Sequence, residues 1–230
     1  MGYRQTLGAG VFVAIALLAA PASVQADGDM FTEEQTQDFG FPLSPGVATL
    51  PFDQFDDEGG LRILSKVTLL VDGMIGADIT AENDSTLPAP DFGVAIAGFM
   101  SVAFADLGTV IGFDEVFSSG GVAPSDGVTG SGPDFFDFGS VFDSGSDMDM
   151  LMGTPDELAA FIGVGTINAS VFASGGFTVV GSTDSTLTID NFEGSGTVQI
   201  IYEYKLIPAP GALALLGLGG FVGVRRRRRA

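Results

Sequence analysis

Apolar and polar residues alternate with a period of two over much of the middle of this chain. Leu61, Ile63, Val67, Leu69 and Val71 are interleaved with Arg62, Lys66 and Thr68. That pattern predicts a half-buried strand, with Ser65 as the polar exception on its apolar face. Asp72-Gly73 then reads as a hairpin turn. A second strand follows, in which Ile75, Ala77, Ile79 and Ala81 alternate with Gly76, Asp78, Thr80 and Glu82. Asn83-Asp84-Ser85 and Pro88-Ala89-Pro90 carry turn chemistry. From Phe92 to Phe104, one face holds Phe92, Val94, Ile96, Met100, Val102 and Phe104, and the other is mostly Gly, Ala and Ser apart from Phe99. Its β-branched and aromatic residues favour a strand over a membrane helix. Further strands are predicted near 165–173, 176–181 and 185–190. A last one carries Val198, Ile200, Tyr202, Tyr204 and Leu206 on one side.

Three stretches depart from the alternation. Residues 27–60 are acidic, are broken by Pro42, Pro45 and Pro51, and read as irregular. Residues 118–149 are rich in Gly, Ser and Asp and read as a long loop with a broken strand. Thr154-Pro155-Asp156-Glu157 reads as a helix start, with Thr154 as cap, Pro155 in the first helical position and Glu157 closing a capping box. Leu158 to Ile162 would then run about one and a half turns before Gly163 ends them. The expected fold is all-β, an antiparallel β-sandwich of jelly-roll or Ig-like type with one short helix. No internal repeat is visible.

The two ends have a different character. Arg4, the apolar stretch Val11 to Ala20, Pro21 and the small-residue site Val24-Gln25-Ala26 read as a signal peptide over 1–26, cleaved between Ala26 and Asp27. At the other end, Ile207 to Val224 is 18 residues without a charge, followed by Arg225, Arg226, Arg227, Arg228 and Arg229. As a helix it would span roughly 27 Å, enough for a hydrocarbon core. A transmembrane helix over 211–224 is therefore expected, its arginines held on the cytoplasmic side. The acidic segment 27–206 would lie outside.

Charge supports that arrangement. All 29 acidic residues fall between Asp27 and Glu203, and within 27–206 only Arg62, Lys66 and Lys205 oppose them, so three cations against 29 carboxylates leave that segment at −26. Such a surface repels nucleic acid, and no nucleic-acid partner is expected. With no Cys, the domain is no disulfide scaffold. With no His either, Ser–His and Cys–His catalysis and the usual zinc sites are excluded.

The tail resembles the PEP-CTERM sorting signal, in which a short Pro-containing motif precedes an apolar helix and a terminal Arg cluster. Here the motif is Pro208-Ala209-Pro210, the helix begins at Gly211 and the cluster is Arg225 to Arg229. Ala209 stands where the family archetype has Glu, so the likeness is to a Pro-x-Pro variant. The resemblance implies sorting of the tail 207–230 by an exosortase-like membrane enzyme, after signal peptidase and the secretion machinery have acted. It makes Pro208, Ala209, Pro210, Gly211 and the five arginines recognition residues. The middle is similar to the choice-of-anchor E domain over roughly 35–206, through Asp156 to Ile167, Ala81-Glu82-Asn83 and Ile201 to Tyr204. That family is defined by a shared extracellular domain on differing anchors, with no known activity.

The expectation is an exported, non-enzymatic protein of the cell envelope, surface or extracellular matrix, with a structural or interaction role and no cofactor. The alternative is an extracellular module that binds polysaccharide or calcium. Carboxylate density by itself is the mark of a solvated acidic loop, since glycoside hydrolysis needs one carboxyl with a raised pKa in a pocket. For calcium, Asp53, Asp56, Asp57, Asp147 and Asp149 offer hard oxygen ligands, although neither an EF-hand loop nor a repeated calcium nonapeptide occurs.

Overall fold

Strands with one apolar face can stay folded only if those faces cover one another, and here two sheets do so. The computed structural model describes residues 30–43 and 45–207. Its eight strands are β1 (Met30–Pro42), β2 (Gly46–Asp53), β3 (Arg62–Asn83), β4 (Gly93–Phe104), β5 (Leu107–Ser118), β6 (Phe135–Met152), β7 (Thr166–Val180) and β8 (Ser185–Leu206). They form two four-stranded antiparallel sheets, ordered β1-β8-β3-β6 and β2-β7-β4-β5. The pairing is nested, with β1 on β8, β2 on β7, β3 on β6 and β4 on β5. Met30 lies opposite Lys205, so the start of β1 and the end of β8 share one end of the sandwich.

The core is the set of inward positions. Val67, Leu69, Val71, Ile75 and Ile79 of β3 are buried against Val94, Ile96, Met100, Val102 and Phe104 of β4, with Val198, Ile200 and Tyr202 of β8 beside them. Each contributes about 1.5–3 kcal/mol by leaving water. Two glycine sites let the sheets approach. Gly73 faces Gly145 and Gly196 on its neighbouring strands, and a Cβ on Gly73 would stand 2.7 Å from Met100 Sδ. From the other side, Ile75 reaches over Gly98 and Gly175, where a Cβ would come within 2.9 and 3.1 Å of its Cδ1.

That interlock explains the first departure from expectation. Asp72-Gly73 forms no hairpin; it lies in the middle of β3, a single 22-residue strand paired on both sides. Its glycine is needed for its missing side chain. Residues 30–53 are likewise two strands, Pro42 ending β1 and Pro51 occupying the edge strand β2, where a missing N–H is tolerated. The stretch 135–152 is a full strand, leaving 119–134 as the loop. The segments near 165–173 and 176–181 merge into β7, and those near 185–190 and 198–206 into β8. β5, unassigned from sequence, is the outer strand of the second sheet.

The expected helix shrinks to a 3-10 turn over Ala159–Phe161. The Glu157 half of the capping box is present, its carboxylate accepting from Thr154 N at 2.7 Å and Oγ1 at 2.9 Å. Those bonds hold its pKa below the ordinary glutamate value. The buried Phe161 ring and Leu158 then pull the chain into the core before a second turn forms. Among the described residues no helix is long and apolar enough to cross a membrane. The span 211–224 lies outside them, as do the signal peptide, Ala26, Asp27 and the tail residues Pro208 to Arg229.

Candidate functional site

Both open sides of the sandwich are closed by side chains. β6 and β5 are the outer strands on one side. There Asp149, Asp147 and Asp143 of β6 accept hydrogen bonds from the N–H groups of Gly108, Val110 and Asp114 of β5, at 2.9, 3.2 and 2.8 Å. The steps match residue for residue in antiparallel register, and Gly145 stands at the one step without a carboxylate. The second oxygen of each aspartate accepts from the amide of its own next residue. On the other side Gln35 of β1 does the same for β2, donating to Asp53 C=O at 2.9 Å and accepting from Asp53 N–H at 2.8 Å. Free sheet edges invite pairing with other chains, and these ladders occupy them.

The ladders account for several calcium candidates. Asp147 and Asp149 bind backbone amides along β5. Asp53 is at the opposite side, where its C=O also accepts from the Tyr202 hydroxyl at 3.0 Å. Asp56 and Asp57 accept from the amides of Glu58 and Gly59 in tight local turns. The five do not converge, and among the described residues no group of three or more acidic side chains is arranged to hold a metal.

A concavity lies on the outer face of the first sheet, in the half away from the start of β1 and the end of β8. Its volume is about 670 Å³, and Pro42, Met74, Asp78, Ser140, Phe142, Asn191 and Glu193 are among its lining residues. Two bulges shape it. On β8, Asn191 and Phe192 stand together opposite Ala77, because Gly76 pairs with Glu193 and Asp78 with Asp190. On β6, the register slips between the partners of Ile79 and Thr80. Asn191 and Gly139 take left-handed φ values of 54° and 65° at these points. Bulges bend and twist a sheet and re-aim side chains, and here they flank Asp78 on both sides.

Asp78 is held by both neighbouring strands. Its Oδ1 accepts from Ser140 Oγ at 2.5 Å and its Oδ2 from Asn191 Nδ2 at 2.7 Å. The Ser140 bond first, and then the Asn191 bond, lower its pKa below the ordinary aspartate range. It is therefore a fixed, ionised acceptor. Phe142, 58 % exposed, presents an aromatic ring beside it. An oriented carboxylate, an amide, a hydroxyl and an aromatic face suit a polyhydroxylated ligand, and the volume lies within the range of small-ligand clefts.

Sequence reasoning passed over Asp78, Ser140 and Asn191. Asp78 looked like an ordinary solvent-side residue of an alternating strand. A signal was present: the inward positions switch parity between Phe138 and Val141 on β6, and between Leu187 and Phe192 on β8. Such a switch is what a one-residue bulge leaves in a sequence.

No family model matches the chain, and no curated protein matches it in sequence. Among solved structures, the infectious bursal disease virus Gx strain structure is similar over 88 % of this chain and 48 % of its own, at 9 % identity and a TM-score of 0.20. The VP2 subviral particle of the same virus is similar over 87 % and 50 %, at 11 % identity and a TM-score of 0.17. The chain thus spans about half the length of the viral chains it matches. Likenesses this slight carry no argument.

Proposed function

We propose that this chain is an exported jelly-roll module that is sorted through its tail 207–230 by an exosortase-like enzyme and holds polysaccharide at the cell surface or in the extracellular matrix. The nested pairing of strands 1–8, 2–7, 3–6 and 4–5 supports the jelly roll over the Ig-like alternative. The observation that carries the functional reading is the placement of the ends relative to the groove. β1 begins and β8 finishes side by side, while the groove around Asp78 lies in the opposite half. A domain tethered through its last strand would present that groove away from the membrane.

The groove's chemistry narrows the ligand. Asp78 and Glu193, within a segment of charge −26, disfavour anionic polymers. Neutral or amino-bearing polysaccharides are the matching class, with hydroxyls donating to Asp78 and the apolar face of a sugar ring against Phe142. Asp78 would act as a hydrogen-bond acceptor: hydrogen bonds lower its pKa, whereas a general acid in glycoside cleavage needs a raised one.

Two measurements test the reading. Intact mass of the mature protein should show loss of 1–26 and a processed tail; a full-length polypeptide in the cytosol would refute export. In glycan-binding assays on the segment 27–207, which contains every described strand, D78A and F142A should each weaken binding about tenfold or more while the melting temperature holds. Because the Asp78 pKa lies below the ordinary aspartate value, binding should stay constant as pH falls from neutrality and decline only below the range in which an ordinary aspartate titrates. Equal binding by wild type and D78A would remove the groove from the account.

A further inference from the structure

The loop 119–134, at the end of the sandwich opposite the start of β1 and the end of β8, contains a buried carboxylate oxygen with no hydrogen-bond partner. Asp134 is fully buried. Its Oδ2 accepts from the Asp126 amide at 2.8 Å, and its backbone C=O accepts from the Asn83 amide at 2.9 Å. Its Oδ1 has no hydrogen-bond partner. That atom faces a spot beside Gly132, where an added Cβ would lie 2.8 Å from Asp134 Oδ1 and in contact with Asp126 Oδ2. Two carboxylate oxygens from different aspartates thus flank one point with no donor between them. A third carboxylate serves the same loop, the buried Glu82 accepting from the Gly130 amide at 2.8 Å.

Burying an ionised oxygen without a partner is expensive, and like charges side by side add to the cost. No basic side chain within the domain can meet it. Arg62 and Lys66 are engaged with Glu33 and Glu203 toward the other end, and Lys205 pairs in register with Met30 there. A positive group must come from solution.

We infer that Asp126 and Asp134 form a binding site for a hard divalent cation, with calcium as the matching ion. Calcium takes six to eight oxygen ligands, carboxylates mixed with carbonyls and water, and extracellular modules bind it at about 0.1–1 mM. A site with two carboxylates, completed by loop oxygens and water, belongs at that weak end. The exposure of Asp126 gives the ion access. Bound there, calcium would tie the Asp126 turn to the first residue before β6. None of the calcium candidates named from the sequence lies in this site, and it stands apart from the groove around Asp78.

The test is thermal unfolding of the segment 27–207 in chelator, then with calcium or magnesium up to about 10 mM at constant ionic strength. Wild type should melt several degrees higher with calcium, saturating with one ion per chain by calorimetry, and magnesium should do less. D134N should abolish the rise. In chelator D134N should be at least as stable as wild type, because the amide removes a carboxylate from beside Asp126. Absence of a calcium effect on wild type would overturn the inference. So would a rise retained in both D126N and D134N, which would mean diffuse screening, or marked destabilisation of D134N in chelator, which would mean that an internal water already satisfies Oδ1. If D134N does not fold, D126N, altered at an exposed side chain, carries the same comparison.

Discussion

Replacing Asp143, Asp147 and Asp149 together with alanine would uncover the outer edge of β5. The N–H groups of Gly108, Val110 and Asp114 each lose an acceptor 2.8–3.2 Å away. A hydrogen bond to a charged group contributes about 1.5–3 kcal/mol when shielded. These sites are partly wet, and water replaces some of the loss, so about 1 kcal/mol each is a fair expectation. The triple variant should therefore lose about 2–4 kcal/mol, a shift of about 1–2 M in urea midpoint for a domain of this size. Removing three negative charges from a strongly acidic segment works the other way, through weaker self-repulsion. The triple asparagine variant separates the two effects, because Asn keeps an acceptor oxygen while losing the charge. It should retain most of the stability and keep the wild-type oligomeric state. The alanine variant should also self-associate through the opened edge, beside the exposed Val110 and Val116, as seen by light scattering or sedimentation. If the alanine variant unfolds at the wild-type midpoint and associates no more than wild type, the ladder contributes nothing to edge protection. If alanine and asparagine variants lose stability equally, charge is the active feature and the hydrogen-bond argument fails.

Burial, followed by the charges of Glu33 and Asp53, raises the Tyr202 pKa well above the ordinary tyrosine value. The unfolded chain releases that proton near pH 10 and the folded chain retains it, so this contribution is intact below about pH 10 and is lost as pH rises above it, by up to about 1.4 kcal/mol per unit. Y202F, which loses the bond to the Asp53 carbonyl, should cost about 1 kcal/mol at pH 7. In urea titrations the gap to wild type should narrow between pH 10 and 11, and a constant gap would refute the linkage. At the sheet interface, G73V places branched carbons against Met100 and Ile111 and should cost about 1–3 kcal/mol by overpacking. Combining it with M100A should recover part of that loss in a double-mutant cycle, and strict additivity would show that the two residues do not interlock.

The residues by themselves determined the class of fold and several of its strands. Period-two alternation is a local property, so β4 and most of the last part of β8 were legible with their inward faces: Val94, Ile96, Met100, Val102, Phe104, Val198, Ile200 and Tyr202 are all buried, whereas Leu206, on the same expected face, is exposed where β8 runs out. The absence of His and Cys and the placement of charge are likewise properties of the chain alone. Four things depended on the assembled sheets. Asp72-Gly73 has turn chemistry, but β6 and β8 on either side of β3 make extended backbone the better bonded state, and Met100 fills the space a side chain would need. Ser65, the polar exception, proves to be a bulge residue where the register of β3 shifts between Leu64 and Lys66, its hydroxyl donating to the Glu203 carbonyl at 2.9 Å. The capping residues at Thr154 and Glu157 began a helix that the burial of Leu158 and Phe161 cut short. The groove joins residues from distant parts of the chain, and the pair Asp126–Asp134 meets across the folded loop 119–134; in both, the chemistry arises from distances that no local pattern encodes. Local preference is worth tenths of a kcal/mol per residue, and two-sided strand pairing with core burial outweighs it.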